Sequence, residues 1–145
     1  MYDIISEDID SMGLIKEFEG FRSQAYKCSA GKWTIGYGST IYEDGTPVKQ
    51  GDTIDEKTAE RLLEYHCQHR IKLPEGNFTS NQRAALYSLI YNIGQSAFDR
   101  SKLKQAICRG DIAETFRNWD WIKADGKVVK GLVRRRSKEL ALFFS

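Results

Sequence analysis

Three side chains able to act on a polar bond recur at fixed spacing near the start of the chain: the carboxyl of Glu19, the thiol of Cys28 and the hydroxyl of Thr34, nine and six residues apart. A carboxyl that can surrender a proton, beside two groups that can hold water, is what hydrolysis of a glycosidic bond requires. The leaving oxygen must be protonated while water or a nucleophile reaches the anomeric carbon. A thiol with a pKa near 8.5 is mostly neutral at pH 7 unless its site favours the thiolate. Cys28 therefore has two possible roles. It orients the attacking water together with Thr34, or as a thiolate it stabilises positive charge on the sugar or attacks it. The plain structural readings are a small buried side chain for Cys28 and a β-branched strand residue for Thr34. Gly36 and Gly38 let a strand approach a sugar closely or allow the sheet to curve. Glu17 points about 200 degrees away from Glu19 on a helix, so only one of them can face the same site.

The elements that must position this set follow from the apolar pattern. Ile5, Ile9, Met12, Ile15 and Phe18 recur at helical spacing and Gly20 is a natural stop. Glu19 then falls on the last turn, where the partial negative charge of the helix end disfavours an ionised carboxylate. From Phe21 to Val48 the texture of Tyr, Trp, Thr and Ile, broken at Ser29-Ala30-Gly31 and Glu43-Asp44-Gly45, predicts two or three short strands. Thr53-Ile54-Asp55-Glu56 has the form of a capping box opening a helix to about Arg70. Thr79 to Gln82 is a second capping box, before a helix so apolar around its circumference that it belongs inside a bundle. A short helix runs from Ser101 to Arg109. Asp111 caps another that carries Phe116, Trp119 and Trp121 inward, Asp125-Gly126 makes a turn, and a last helix runs over about 132–144. The expected class is α+β in one domain: a small antiparallel sheet lobe over about 21–52, and a helical bundle lobe over about 77–145 plus the N-terminal helix, with an active-site cleft between the lobes.

The first block continues in order through Tyr91-Asn92-Ile93-Gly94, Ser101-Lys102-Leu103 and Gly131-Leu132-Val133-Arg134-Arg135-Arg136. Together these blocks resemble the phage-type lysozymes, or endolysins, in the form with Cys where many relatives have Asp. The resemblance implies a lysozyme-like fold and a bacteriolytic muramidase. Such an enzyme cleaves the β-1,4 bond between N-acetylmuramic acid and N-acetylglucosamine in peptidoglycan by an inverting route, for host lysis and phage release. It implies Glu19 as general acid, Cys28 at the carboxylate position and Thr34 holding the nucleophilic water, with Asn92, Ser101 and Tyr37 as substrate contacts and no cofactor. The glycan strands of peptidoglycan are the expected partner, with a separate holin opening the way. Competing readings are a lytic transglycosylase, a thiol amidase pairing Cys28 with His66 or His69, and a non-catalytic wall-binding protein on the same scaffold.

Composition narrows the rest. At 145 residues, 41% apolar and 29% charged, the chain is sized and balanced for one globular domain. No apolar run approaches the roughly 20 residues that cross a bilayer, so membrane insertion is not expected. The N terminus lacks the basic start and apolar stretch of a secretory signal, which predicts a cytoplasmic origin and later access to the wall. Three widely spaced cysteines argue against a disulfide framework, and Cys67 and Cys108 read as small buried groups. A net charge of +2 is too small to argue for nucleic acid, and nothing demands more than a monomer. The basic residues thicken after Arg100, which reads either as a solvated helix face or as attraction to an anionic polymer such as the wall, with one of Arg134, Arg135 and Arg136 turned toward Glu19. His66, Cys67 and His69 lack a further ligand nearby, so no metal is expected.

Overall fold

The computed structural model describes residues 11–145. The predicted contribution of Ile5 and Ile9 to an N-terminal apolar stripe lies outside the described residues. The stripe continues in buried Met12, just before α1 (Gly13–Glu19), and in buried Ile15 on that helix. Gly20 ends that helix in the left-handed region, at φ 71, and its N–H donates to the Lys16 carbonyl at 3.0 Å. Glu19 is the last helical residue, half-buried, while Glu17 is exposed.

The chain then forms β1 (Arg22–Lys27) and β2 (Trp33–Gly36), an antiparallel pair in which Tyr26 faces Thr34 and Lys27 faces Trp33. Of the two or three short strands expected up to Val48, two form, and beyond them lie only isolated bridges, Ile35 with Ser39 and Ile41 with Pro47. The helix α2 spans Glu56–His69 and is capped by Asp55, whose carboxylate accepts from the Thr58 N–H at 2.7 Å. This corrects the expected capping role of Thr53. Thr53 bridges Gln24 on β1, with Ala25 N–H donating to Asp52 and Ile54 N–H to Ser23, so pairing with the strand delays the helix start. At Gly36 the strand passes close to α2: a Cβ built there would meet the Ala59 Cβ at 3.0 Å, and φ is +65. Residues Ile15–Arg70 form one compact unit, which takes in most of α1 and all of α2 as well as the hairpin.

The remaining described residues form a second, helical unit. Its central helix α3 (Ser80–Ile93) opens with the capping box foreseen at Thr79 and Gln82 and buries Ala84, Ala85, Leu86, Leu89 and Ile90. Gly94 ends it, and the short α4 (Gln95–Asp99) follows, an element the periodicity did not reveal, with Phe98 fully buried. Next come α5 (Lys102–Arg109), stopped by left-handed Gly110, and α6 (Ile112–Arg117), capped by Asp111. Trp119 is buried as expected and Trp121 half-buried, but Phe116 is 61% exposed. The reason is that α6 has under two turns and commits only Thr115 to the core. Asp125 and Gly126, at φ 52 and 78, turn β3 (Lys123–Ala124) into β4 (Lys127–Val128). The last helix, α7 (Lys130–Phe143), packs along α3. Seven helices with two small antiparallel hairpins make the described fold α+β.

Candidate active site

The tight turn between β1 and β2 builds the sulfur's surroundings. Cys28 N–H donates to the Lys32 carbonyl at 2.9 Å, Gly31 N–H returns to the Cys28 carbonyl at 2.8 Å, and Gly31 takes φ 80 to allow it. Hydrogen bonding within the turn acts on the Cys28 thiol, first from the Lys32 backbone, then from the Thr34 side chain, then from the Ala30 backbone. Together they lower the thiol's pKa below its ordinary value. The side chain is half-exposed, so the sulfur is open to solvent.

Thr34 is 3% exposed, and its Oγ1 donates to the Lys32 carbonyl at 3.0 Å. Its single proton is thereby committed to that carbonyl. Loss of the hydroxyl would loosen both the turn and the sulfur's environment. Directly opposed residues of an antiparallel pair project from the same face, so Tyr26 stands beside Thr34. The Tyr26 phenol is raised above its usual pKa, first by burial and then by the negative charge of Glu19, with Cys28 adding to the effect and Arg22 opposing it. The Arg22 guanidinium lies 4.6 Å from the centre of the Tyr26 ring. Glu19, Tyr26, Cys28 and Thr34 thus belong to one unit, and Tyr26 feels the charge of both the carboxyl and the thiol. Tyr26 and Arg22 escaped the sequence reading. The register of the hairpin, which pairs Tyr26 with Thr34, was the signal that could have found Tyr26.

Tyr37 lies in the same unit but is buried. Its hydroxyl donates to Glu56 Oε2 at 2.8 Å, and its ring meets that of Phe21 at 5.7 Å. Burial and the Glu56 carboxylate push the phenol up to about 12. Asn92 and Ser101 belong to the helical unit. Asn92 is exposed near the end of α3. Ser101 is the N-cap of α5, accepting from Lys104 N–H at 3.1 Å and donating to the Phe98 carbonyl at 2.6 Å.

The arginine triplet divides between surface and interior. Only Arg134 is exposed, whereas Arg135 and Arg136 are buried around Glu139, itself fully buried. Ser88 Oγ donates to Glu139 Oε2 at 2.5 Å, Trp119 Nε1 to Oε1 at 3.0 Å and Arg136 Nη2 to Oε2 at 3.0 Å. Arg135 Nε and Nη2 reach the Ser88 hydroxyl and carbonyl, each at 3.2 Å. Arg136 Nε lies 2.7 Å from Oε1 but off the direction a hydrogen bond needs. Nothing in the sequence pattern marked Glu139 as the anchor, because its spacing is that of any surface helix residue.

Cys67 is buried as expected, but Cys108 is exposed on α5, where Leu103 and Ala106 take the inward positions. His66 is half-buried, its pKa lowered by burial and by Arg70, while exposed His69 stacks on Tyr65 at 4.4 Å. Among the described residues no group of three His, Cys, Asp or Glu side chains is placed to hold a metal ion.

The fold matches that of solved lysozyme structures. The muramidase domain of SpmX from Asticaccaulis excentricus superposes with a TM-score of 0.79 at 31% identity, over 94% of this chain and 95% of that one. A mutant of P22 lysozyme superposes with a TM-score of 0.77 at 33% identity, over 94% and 96%. These matches define the class as a lysozyme-like glycoside hydrolase. More narrowly, the chain belongs to the phage lysozyme family, whose model matches residues 16–139. An endolysin of Acyrthosiphon pisum secondary endosymbiont phage 1 is 38% identical over 144 residues, spanning 91% of this chain and 93% of that protein.

Proposed function

We propose that this chain is a muramidase of the endolysin type, hydrolysing the β-1,4 bond between N-acetylmuramic acid and N-acetylglucosamine in peptidoglycan so that an infected bacterium lyses and releases phage. The observation that carries the reading is the hairpin itself, which follows directly on the helix ending in Glu19, closes its turn through Cys28 and sets buried Thr34 opposite Tyr26. Glu19 donates its proton to the glycosidic oxygen, and the C–O bond to the anomeric carbon breaks. Water held at Cys28 attacks that carbon from the opposite side and gives up a proton to the sulfur, which enters the step as its thiolate and leaves it as the thiol. One water is consumed and one new reducing end appears. Thr34 holds the turn and the sulfur in place for this step. Tyr37, committed to Glu56, fits a structural role better than a substrate contact, and the cap bonds of Ser101 point the same way. Exposed Asn92 remains a proposed substrate contact. The chain works as one lysozyme-like catalytic domain, active as a monomer, and meets the wall once a holin has opened the inner membrane.

Replacing a general acid removes about 10²–10⁴-fold of rate. The Glu19→Gln protein is therefore expected to keep its thermal transition and lose clearing of a wall suspension by that factor. Clearing at the parental rate overturns the assignment. Mass spectrometry of the digest reads the bond: reducing N-acetylmuramic acid ends are expected. Anhydro ends would mean a transglycosylase, and new amino groups an amidase.

A further inference from the structure

An apolar surface remains that hydrolysis of a polar glycan does not use. Between α6 and α7 lies an open groove of about 960 Å³, lined by Ile112, Phe116, Leu140, Ala141 and Phe144, with Arg117 at its edge. Ile112 is 69% exposed, Phe116 61% and Phe144 42%, and the rings of Phe116 and Phe144 lie 6.1 Å apart. Exposed large apolar side chains gathered in one place mark a docking surface more often than chance packing. The solvent side of α7 continues the patch. Val133, Arg134, Ser137, Lys138, Ala141 and Phe144 are all exposed, at the three- and four-residue spacing of one helical face, so basic and apolar groups alternate along it. The β3–β4 hairpin adds exposed Val128 between Lys127 and Lys130.

Charge selects the occupant. From Arg100 to Ser145 the chain carries twelve basic and five acidic residues, whereas residues 1–99 carry ten basic and fifteen acidic. Arg135, Arg136 and Glu139 are buried together, so the exposed part of this segment keeps a positive excess of six. A second copy docking by the same face would bring like charge against like charge. A glycan strand satisfies the basic groups but offers little to bury Ile112, Phe116 and Phe144. A bilayer rich in anionic lipid satisfies both: headgroups meet the basic side chains while the apolar ones reach the acyl boundary.

We propose that the α6–α7 face is a docking surface for anionic phospholipid membranes, holding the enzyme flat on a bilayer without insertion. No described helix is long and apolar enough to span one, which fits surface attachment. The inference stands on this surface alone and is independent of the hairpin chemistry.

Co-sedimentation of the full chain with vesicles tests it, using phosphatidylglycerol mixed with phosphatidylcholine against phosphatidylcholine alone. Binding to the anionic vesicles is expected to be about tenfold tighter, and to weaken as salt rises from 50 to 300 mM, in about the proportion that screened headgroup attraction dictates. Phe116→Ser, at a position already exposed, should cut that binding several-fold, and the double variant Arg134→Glu, Lys138→Glu should cut it more. Equal partition into neutral and anionic vesicles, no partition, or binding unchanged by both variants overturns the proposal. So does a dimer in sedimentation velocity that Phe116→Ser dissolves while vesicles bind nothing.

Discussion

The hairpin of the sheet unit and the Glu139 cluster of the helical unit handle charge in opposite ways. Around Glu139 two guanidiniums, an indole, a hydroxyl and a carboxylate are sealed from water and nearly saturated with partners. Around Cys28 the donors come mainly from a turn of the backbone, and the sulfur stays half-exposed. A closed network fixes structure, because removing one member strands the others in a medium that cannot solvate them. A half-open one leaves a group ready to change its protonation state or take a new partner. The contrast separates the part of the molecule that holds shape from the part equipped for chemistry.

The contrast breaks most sharply at Glu139. Glu139→Ala leaves two buried arginines facing each other and is expected to cost roughly 3–5 kcal/mol of stability, read from chemical denaturation. A loss below about 1 kcal/mol would mean the cluster does not hold the helical unit together. A second, smaller effect belongs to the phenols of the sheet unit. Tyr37 donates to Glu56, and Tyr42 donates to Asp52 at 2.6 Å; both phenols are pushed up to about 12 from 10.0. The folded protein therefore holds these protons more tightly than the unfolded chain. Their contribution is complete below about pH 10 and is lost as pH climbs through about 12. Alkaline melts of Tyr37→Phe and Tyr42→Phe should slope less steeply over that window than the parent, and an identical slope would contradict the assignment. The smallest stability change is expected at Cys28. Cys28→Ser should stay within about 0.5 kcal/mol of the parent while lowering hydrolysis of wall suspensions. In the parent protein, alkylation of Cys28 by iodoacetamide should have a pH midpoint below the ordinary thiol value, tracked by peptide mass spectrometry. A midpoint at or above that value would remove the basis for a thiolate.

Much of this arrangement was legible in the chain. Gly20 as the stop after Glu19, the Thr79–Gln82 box, the Asp125-Gly126 turn and the apolar α3 all rest on local rules that act within a few residues, and the structure follows them. The failures share a cause. Thr53 lost its capping role to a bridge with Gln24, twenty-nine residues away, and Arg135 and Arg136 turned inward to a carboxylate that only tertiary packing supplies. Phe116 and Cys108 were assigned inward by residue type, which says nothing about how few positions a short helix can bury. At the site, the motif named Glu19, Cys28 and Thr34, whereas the turn donors, Tyr26 and Arg22 became visible only through register and geometry.

The close passage of β2 over α2 at Gly36 has a dynamic consequence. Where a strand glycine rests on a helix alanine, with only the Ala59 methyl between the two backbones, they cannot slide independently. Thr34, two residues upstream, then inherits the stiffness of a fourteen-residue rod rather than that of a free hairpin. Loosening Ala59 would thus be expected to disturb the Thr34 hydroxyl from a distance, through the helix rather than through the hairpin.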